Sequence, residues 1–310
     1  MQFSNFQCIS DIHANVRSAR FRISVARSRS TREHSIQGSR SMTCSFMRLE
    51  GGMFFNFESS KMHFTLEGQG APLMFLHGLG GRAENWFYQR RFFSQSRTVI
   101  CVDLPGQGRS EGHHLPFTQF PNVIEALLDE LDIPACDFAG LSKGARVALA
   151  FAARHRNRVS AVIVVNTFLH LTEHDETARR GLYELLTNED GGAEWARRLL
   201  NEMGVADNRA ISRGFMRSLA TFDPRHIQRL FLEVMHYDQR DEVAQFSGPV
   251  LIVRGDADRF VPAYCSLELN ALLPQSDLAL MRGCGHLPYL EMPDEFNLLV
   301  ADFLSRKSTL

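Results

Sequence analysis

Gly140-Leu141-Ser142-Lys143-Gly144 follows a short strand-like run, Cys136-Asp137-Phe138-Ala139, and precedes an alanine-rich stretch with apolar residues at helical spacing over 145–153. A serine placed where a strand turns sharply into a helix sits in strained backbone geometry. The turn closes only if the residues two before and two after carry no bulky side chain, a condition the glycines at 140 and 144 meet. The hydroxyl then stands outside the carboxyl end of the sheet, beside a helix N-terminus that favours negative charge. Ser142 is the candidate nucleophile.

Around this turn lie short, continuous apolar runs at 73–76, 99–102, 161–165 and 250–253. Strands apolar on both faces belong to a parallel sheet covered by helices on both sides. Helical spacing at 123–131 and 145–153 alternates with them, which makes the class α/β. Residues 54–57 and 62–66 read as an antiparallel pair with a turn at Ser59-Ser60. Residues 169–247 break the alternation with four helices, from about Asp175, Gly192, Asp207 and Asp223; the three aspartates are predicted N-caps, and Pro224 the first helical residue of the last helix. Four helices inserted between two buried strands cannot all pack on the sheet, so they are expected to form a cap over one end. The core is then 53–168 and 248–310, closing with a helix at 267–272, a strand at 278–281 and a helix at 294–303.

Three further turns carry chemistry. His77-Gly78-Leu79-Gly80-Gly81 follows the first apolar strand and can aim backbone N–H groups at an oxyanion; the amides of Leu79 and Lys143 are the candidate donors, with His77 read as structural. Gly255-Asp256-Ala257-Asp258 and Gly283-Cys284-Gly285-His286 each follow a later strand. Their order after Ser142 is acid, then histidine, which suits a nucleophile, an orienting carboxylate and a general base. Local composition does not choose between Asp256 and Asp258.

With Asp103-Leu104-Pro105-Gly106-Gln107-Gly108-Arg109-Ser110, which matches a D-x-x-G-x-G-x-S turn, the chain from about Phe54 onward resembles the α/β-hydrolase superfamily. The resemblance implies a mostly parallel central sheet with helices on both faces and an inserted helical cap. It implies a triad of Ser142, His286 and, as the fourth residue of a G-x-x-D turn, Asp258. It also implies, less specifically, an ester, thioester or lactone of a small carboxylic acid as substrate, as in small carboxylesterases and enol-lactone hydrolases, through an acyl-enzyme and without metal or other cofactor. Serine rather than aspartate at 142 argues against haloalkane dehalogenases and epoxide hydrolases. Leu141 stands where many carbon–carbon bond hydrolases of this fold have asparagine. Such a hydrolase using the same triad is the alternative, and a non-catalytic ligand receptor on the same fold is a further one.

The 310 residues carry a formal net charge of -1, which gives no electrostatic case for nucleic acid. No apolar run approaches the ~20 residues of a membrane span, and the expected partner is a small-molecule acyl substrate. The six cysteines include no C-x-x-C pair and read as reduced thiols in the cytoplasm. Residues 1–52 are rich in Arg and Ser, lack lysine and show no apolar periodicity. They read as a disordered extension, either upstream of a start at Met42, Met47 or Met53 or an organelle transit peptide. Arg179, Arg180, Arg197 and Arg198 read as a solvated helix face, while Phe168, Leu171, Trp195 and Phe215 could line an acyl pocket.

Overall fold

The computed structural model describes residues 47–49, 52–188, 191–219 and 223–307. The unbroken apolar runs become the middle of one sheet. Antiparallel strands β1 (Met47–Leu49), β2 (Gly52–Phe57) and β3 (Ser60–Glu67) lead into parallel β4 (Pro72–Leu76), β5 (Thr98–Val102), β6 (Cys136–Leu141), β7 (Val159–Val165), β8 (Val250–Gly255) and β9 (Ser276–Met281). Among the described residues the order is β1-β2-β3-β5-β4-β6-β7-β8-β9, with every pair from β5 to β9 parallel. Val162, Ile163, Val164 and Val165 are wholly buried, as a strand covered on both faces must be. Each such side chain contributes about 1.5–3 kcal/mol of burial.

The helices are α1 (Phe87–Phe93), α2 (Phe120–Glu130), α3 (Lys143–Arg154), α4 (Glu173–Glu184), α5 (Gly191–Glu202), α6 (Arg209–Leu219), α7 (Pro224–His236), α8 (Arg240–Val243), α9 (Ala263–Leu272), α10 (Pro288–Glu291) and α11 (Pro293–Lys307). Between β7 and β8 lie the four expected helices, α4 to α7, and the short α8, which the sequence reading did not include. Arg146 of α3 reaches back to them: it donates to the carbonyls of Val234 and Tyr237 and to Gln239 Oε1, so the return from the insert is tied to the helix that follows Ser142.

Several boundaries differ from the sequence reading. The sheet starts at Met47, inside the segment read as extension, because Met47–Leu49 pairs with 52–54 of β2; residues 1–46 lie outside the described residues. The first hairpin turns one residue early, at Glu58-Ser59, where Glu58 adopts φ 53° and Ser60 already pairs with Phe57. Asp223 does cap α7, accepting from the amides of Arg225 and His226. Asp175 and Asp207 do not cap. Thr172 caps α4 and Asn208 accepts from Ala210 and Ile211, since a capping oxygen must sit just before the first helical residue to reach those N–H groups. Helix α1 was not foreseen, because its aromatic residues Phe87, Tyr88, Phe92 and Phe93 show no clean helical spacing. No helix among the described residues is long and apolar enough to cross a membrane.

Candidate active site

The carboxyl ends of β4, β5, β6, β7, β8 and β9 all open on one edge, which is where loops of a parallel sheet gather polar groups. Ser142 joins β6 to α3 with φ 50° and ψ -114°, a region L-residues rarely occupy. Its amide donates to Val165 O of the neighbouring strand at 2.9 Å, and its carbonyl accepts from Thr167 Oγ1 at 2.9 Å. The backbone is therefore held from both sides. The flanking glycines are required by contact: a Cβ on Gly144 would lie 2.2 Å from Leu76 O, and one on Gly140 would lie 2.5 Å from Ala145 N.

His286 and Asp258, from the loops after β9 and β8, meet: His286 Nδ1 lies 2.8 Å from Asp258 Oδ2, with both side chains buried. A carboxylate can only accept, so a neutral ring carries its proton on Nδ1 and keeps the lone pair on Nε2. Asp258 Oδ1 accepts from the amides of Phe260 at 2.9 Å and Val261 at 3.2 Å. Asp256 is exposed and bonds elsewhere, accepting from Gly283 N at 2.6 Å. Ser142, His286 and Leu79 line one cavity of about 820 Å3.

The Gly78–Gly81 turn is braced. His77, wholly buried, donates from Nδ1 to Gly78 O at 2.7 Å, and its Nε2 accepts from Leu104 N at 3.0 Å. Burial, followed by the neighbouring Lys143, lowers its pKa to about 3, so it is a neutral strut. Gln107 Oε1 accepts from Gly80 N at 2.7 Å. Asp103 accepts from His63 Nδ1 and from the amides of Ala83 and Arg109. Burial pushes its carboxyl up, but the His63 bond and the bonds that follow outweigh it and hold the pKa below the ordinary value. The D-x-x-G-x-G-x-S turn thus holds the adjoining loops in register. The amide of Lys143 is at the first residue of α3, where a helix has no internal acceptor for it.

Two residues escaped the sequence reading. Asn166, at the end of β7 with φ 41°, accepts from Gly255 N and donates to Gly285 O, both at 3.0 Å, and so links the acid loop to the histidine loop. An asparagine just past a buried apolar strand was the available signal. Glu291 accepts from Gly285 N and Leu287 N, bracketing His286. Other expectations need correction. Arg179 is not on a solvated face but buried against the acid loop; Arg197 and Arg198 are exposed and pair with Glu194. Of the four apolar candidates for the pocket, Phe215 lines the cavity, whereas Phe168, Leu171 and Trp195 are buried away from it. Cys284 is buried and its thiol is pushed well above the ordinary range by that burial, which makes it a poor nucleophile. Cys101, Cys136 and Cys265 are also free and buried; Cys8 and Cys44 lie outside the described residues.

The side chain of Lys143 has a role in stability that its backbone does not share. It is 1% exposed, its Nζ has no hydrogen-bond partner among the described residues, and it lies 5.1 Å from the centre of the Phe120 ring. Burial holds its pKa well below the ordinary lysine value. The unfolded chain therefore binds a proton the folded chain does not, and stability rises with pH between the lowered pKa and the ordinary one. Lys143→Met is expected to raise stability at pH 7 by about 1–3 kcal/mol, the cost of an unpaired buried polar group, and to flatten that alkaline rise. Activity should stay within about tenfold, about 1.4 kcal/mol at the transition state. Urea titrations from pH 7 to 10 check the first two; a thousandfold loss of turnover in a folded variant would mean the amine takes part in the reaction.

Comparison with known proteins agrees with the architecture. Residues 71–293 match the family model of the α/β hydrolase fold. The chain is 28% identical over 251 residues to the 2-hydroxy-6-oxo-2,4-heptadienoate hydrolase of Pseudomonas putida, covering 77% of this chain and 90% of that protein. It is 25% identical over 254 residues to the pimeloyl-[acyl-carrier protein] methyl ester esterase of Nitrosospira multiformis, covering 74% and 92%. The enol-lactonase of Burkholderia xenovorans LB400 superposes with a TM-score of 0.73 at 22% identity, over 81% of this chain and 99% of that one. With its strand order, its serine turn and this match over most of its length, the chain belongs to the α/β-hydrolase family.

Proposed function

We propose that the protein hydrolyses an ester, thioester or lactone of a small carboxylic acid through Ser142, His286 and Asp258. The observation that carries this reading is a strained serine sharing one cavity with a histidine whose Nδ1 is held 2.8 Å from a buried carboxylate. In the proposed cycle Ser142 Oγ attacks the carbonyl carbon while His286 Nε2 takes its proton. The amides of Leu79 and Lys143 hold the resulting oxyanion, each such donor being worth about 10²–10³ in rate. Collapse expels the alcohol or thiol, which takes the proton from His286 and leaves the acyl group on Ser142. Water, deprotonated by the same histidine, then releases the acid. The cavity volume suits a small molecule. Helices α4 to α7 serve as its cap, with Ile211 and Phe215 of α6 and Ile227 of α7 as apolar lining. The four cysteines among the described residues are buried and free, which fits a reducing compartment, and we place the enzyme in the cytoplasm.

A carbon–carbon bond hydrolase is the second reading, favoured by the likeness to the dienoate hydrolase of Pseudomonas putida. That reaction expels carbon and has to stabilise a second, delocalised anion. The residues beside the nucleophile and base, Leu141 and Leu287, are apolar, so donors for it would have to come from other lining side chains such as Arg82 or Asn85; the ester reading needs no second anion site. Turnover of chromogenic esters of graded acyl length, a lactone, a thioester and a vinylogous diketone separates the two. Hydrolysis of the short esters or the lactone is expected; cleavage of the diketone alone would reverse the ranking.

A further inference from the structure

The acid of the proposed triad is held by the insert as well as by its own loop. Arg179 of α4 is buried, and its Nη2 donates to Arg259 O at 2.6 Å while its Nε donates to Phe260 O at 3.0 Å. Those carbonyls belong to the peptide units whose N–H groups are the amides of Phe260 and Val261, the same two that donate to Asp258 Oδ1. A peptide unit is planar, so fixing its carbonyl fixes the direction of its N–H. A cation on the carbonyl also polarises the unit and strengthens the bond its N–H donates. The guanidinium further lies 5.1 Å from the centre of the Phe260 ring, and that ring packs edge-on against His286 with centroids 5.4 Å apart. The end of α5 completes the arrangement: Glu202 O accepts from Arg259 N at 2.9 Å, and Met203 O accepts from His286 N at 2.7 Å.

We infer that Arg179 is a positioning residue of the active site, a cation in the helical insert that orients Asp258 through two peptide planes and so aligns His286. The inference rests on the proposed triad. Its consequence is that the insert sets turnover as well as access: a shift of α4 relative to the acid loop would turn the two amides away from Asp258. Misplacement of a reacting group by about 1 Å costs on the order of 100-fold, which sets the scale for losing this clamp.

The test compares Arg179→Met, which keeps the apolar stem over Phe260 but no donor, with Arg179→Lys, which keeps the charge and can bond one carbonyl. The expected result for Arg179→Met is a kcat lower by about 10- to 100-fold with KM little changed, and a shifted or broadened low-field proton resonance of the His286 Nδ1–H, assigned by its loss in Asp258→Asn. Arg179→Lys should fall between wild type and Arg179→Met on both measures, and it carries the test alone if the methionine variant does not fold. An unmoved resonance with kcat within twofold of wild type, or a loss confined to KM, overturns the inference. The resonance needs no substrate, so the two proposals fail separately. A wild-type protein that has the resonance, loses it in Arg179→Met, yet turns over no acyl compound would end the hydrolytic reading and leave the positioning role standing.

Discussion

Ser142→Ala is expected to lower kcat on the best ester by roughly 10⁴- to 10⁶-fold while leaving the fold unchanged. The size of the loss follows from how the site divides its work. In the proposed cycle the amide donors and the cavity would remain and still bind a tetrahedral species, but no oxygen would be left to form the acyl-enzyme, so reaction would have to proceed by direct attack of water. The fold should survive because the strained backbone at 142 is held by main-chain bonds, from its own amide to Val165 O and from Arg146 N to its carbonyl. Alanine supplies the same groups. A fluorophosphonate should label the wild-type protein once, and peptide mapping should place the adduct on Ser142; the alanine variant should take up none. Labelling that persists in a folded Ser142→Ala protein would mean that another side chain is the nucleophile.

Asp258→Asn should lower kcat by roughly a thousand- to ten-thousandfold, and Asp256→Asn by less than about thirtyfold, about 2 kcal/mol at the transition state. Geometry separates the two loop aspartates. Two backbone N–H groups point at Asp258 Oδ1, so an amide placed there would turn its carbonyl oxygen toward Phe260 and Val261. Its NH2 would then face His286 Nδ1, which lies 2.8 Å from the other oxygen. The ring could only accept on Nδ1 and would carry its proton on Nε2, where the base needs a lone pair. At Asp256 an asparagine oxygen still accepts from Gly283 N, and no ring stands behind it. Steady-state rates of both variants, with circular dichroism to show that each is folded, decide the matter. A reversed ranking would overturn the choice of acid; if neither variant loses activity, the carboxylate lies elsewhere.

How far the site was legible depends on whether a residue acts through its neighbours in sequence. The serine turn was legible because its strain, its glycines and its helix are contiguous. The histidine and acid loops announced themselves as polar residues just past apolar strands. The choice of Asp258 over Asp256 came from family resemblance, since both stand in one loop of small residues; geometry separates them through the two amides on Asp258 and the histidine behind it. Asn166 has no local signature because it joins two loops far from it in sequence; Glu291 bonds only to amides four and six residues before it, but it belongs to no motif that marks it.

Arg179 marks the limit most clearly. Next to Arg180 in a charged helix, it had the composition of a solvated face. Successive residues on a helix point about 100° apart, so only the way α4 packs decides that Arg179 is buried on the acid loop while Arg180 pairs with Glu176 on the surface. Lys143 is similar: the turn required a backbone amide there and said nothing of where four methylenes would go. The α/β class, the serine turn and the succession of turns that carry polar groups are readable in the chain, because each follows from the backbone conformation and apolar pattern of adjacent residues. The strand order β3-β5-β4-β6, the burial of Lys143 and the reach of the insert to the acid loop emerge with long-range packing. These depend on which faces meet when segments far apart in the chain pack together, and hydrophobic periodicity records that a face is buried without naming what covers it.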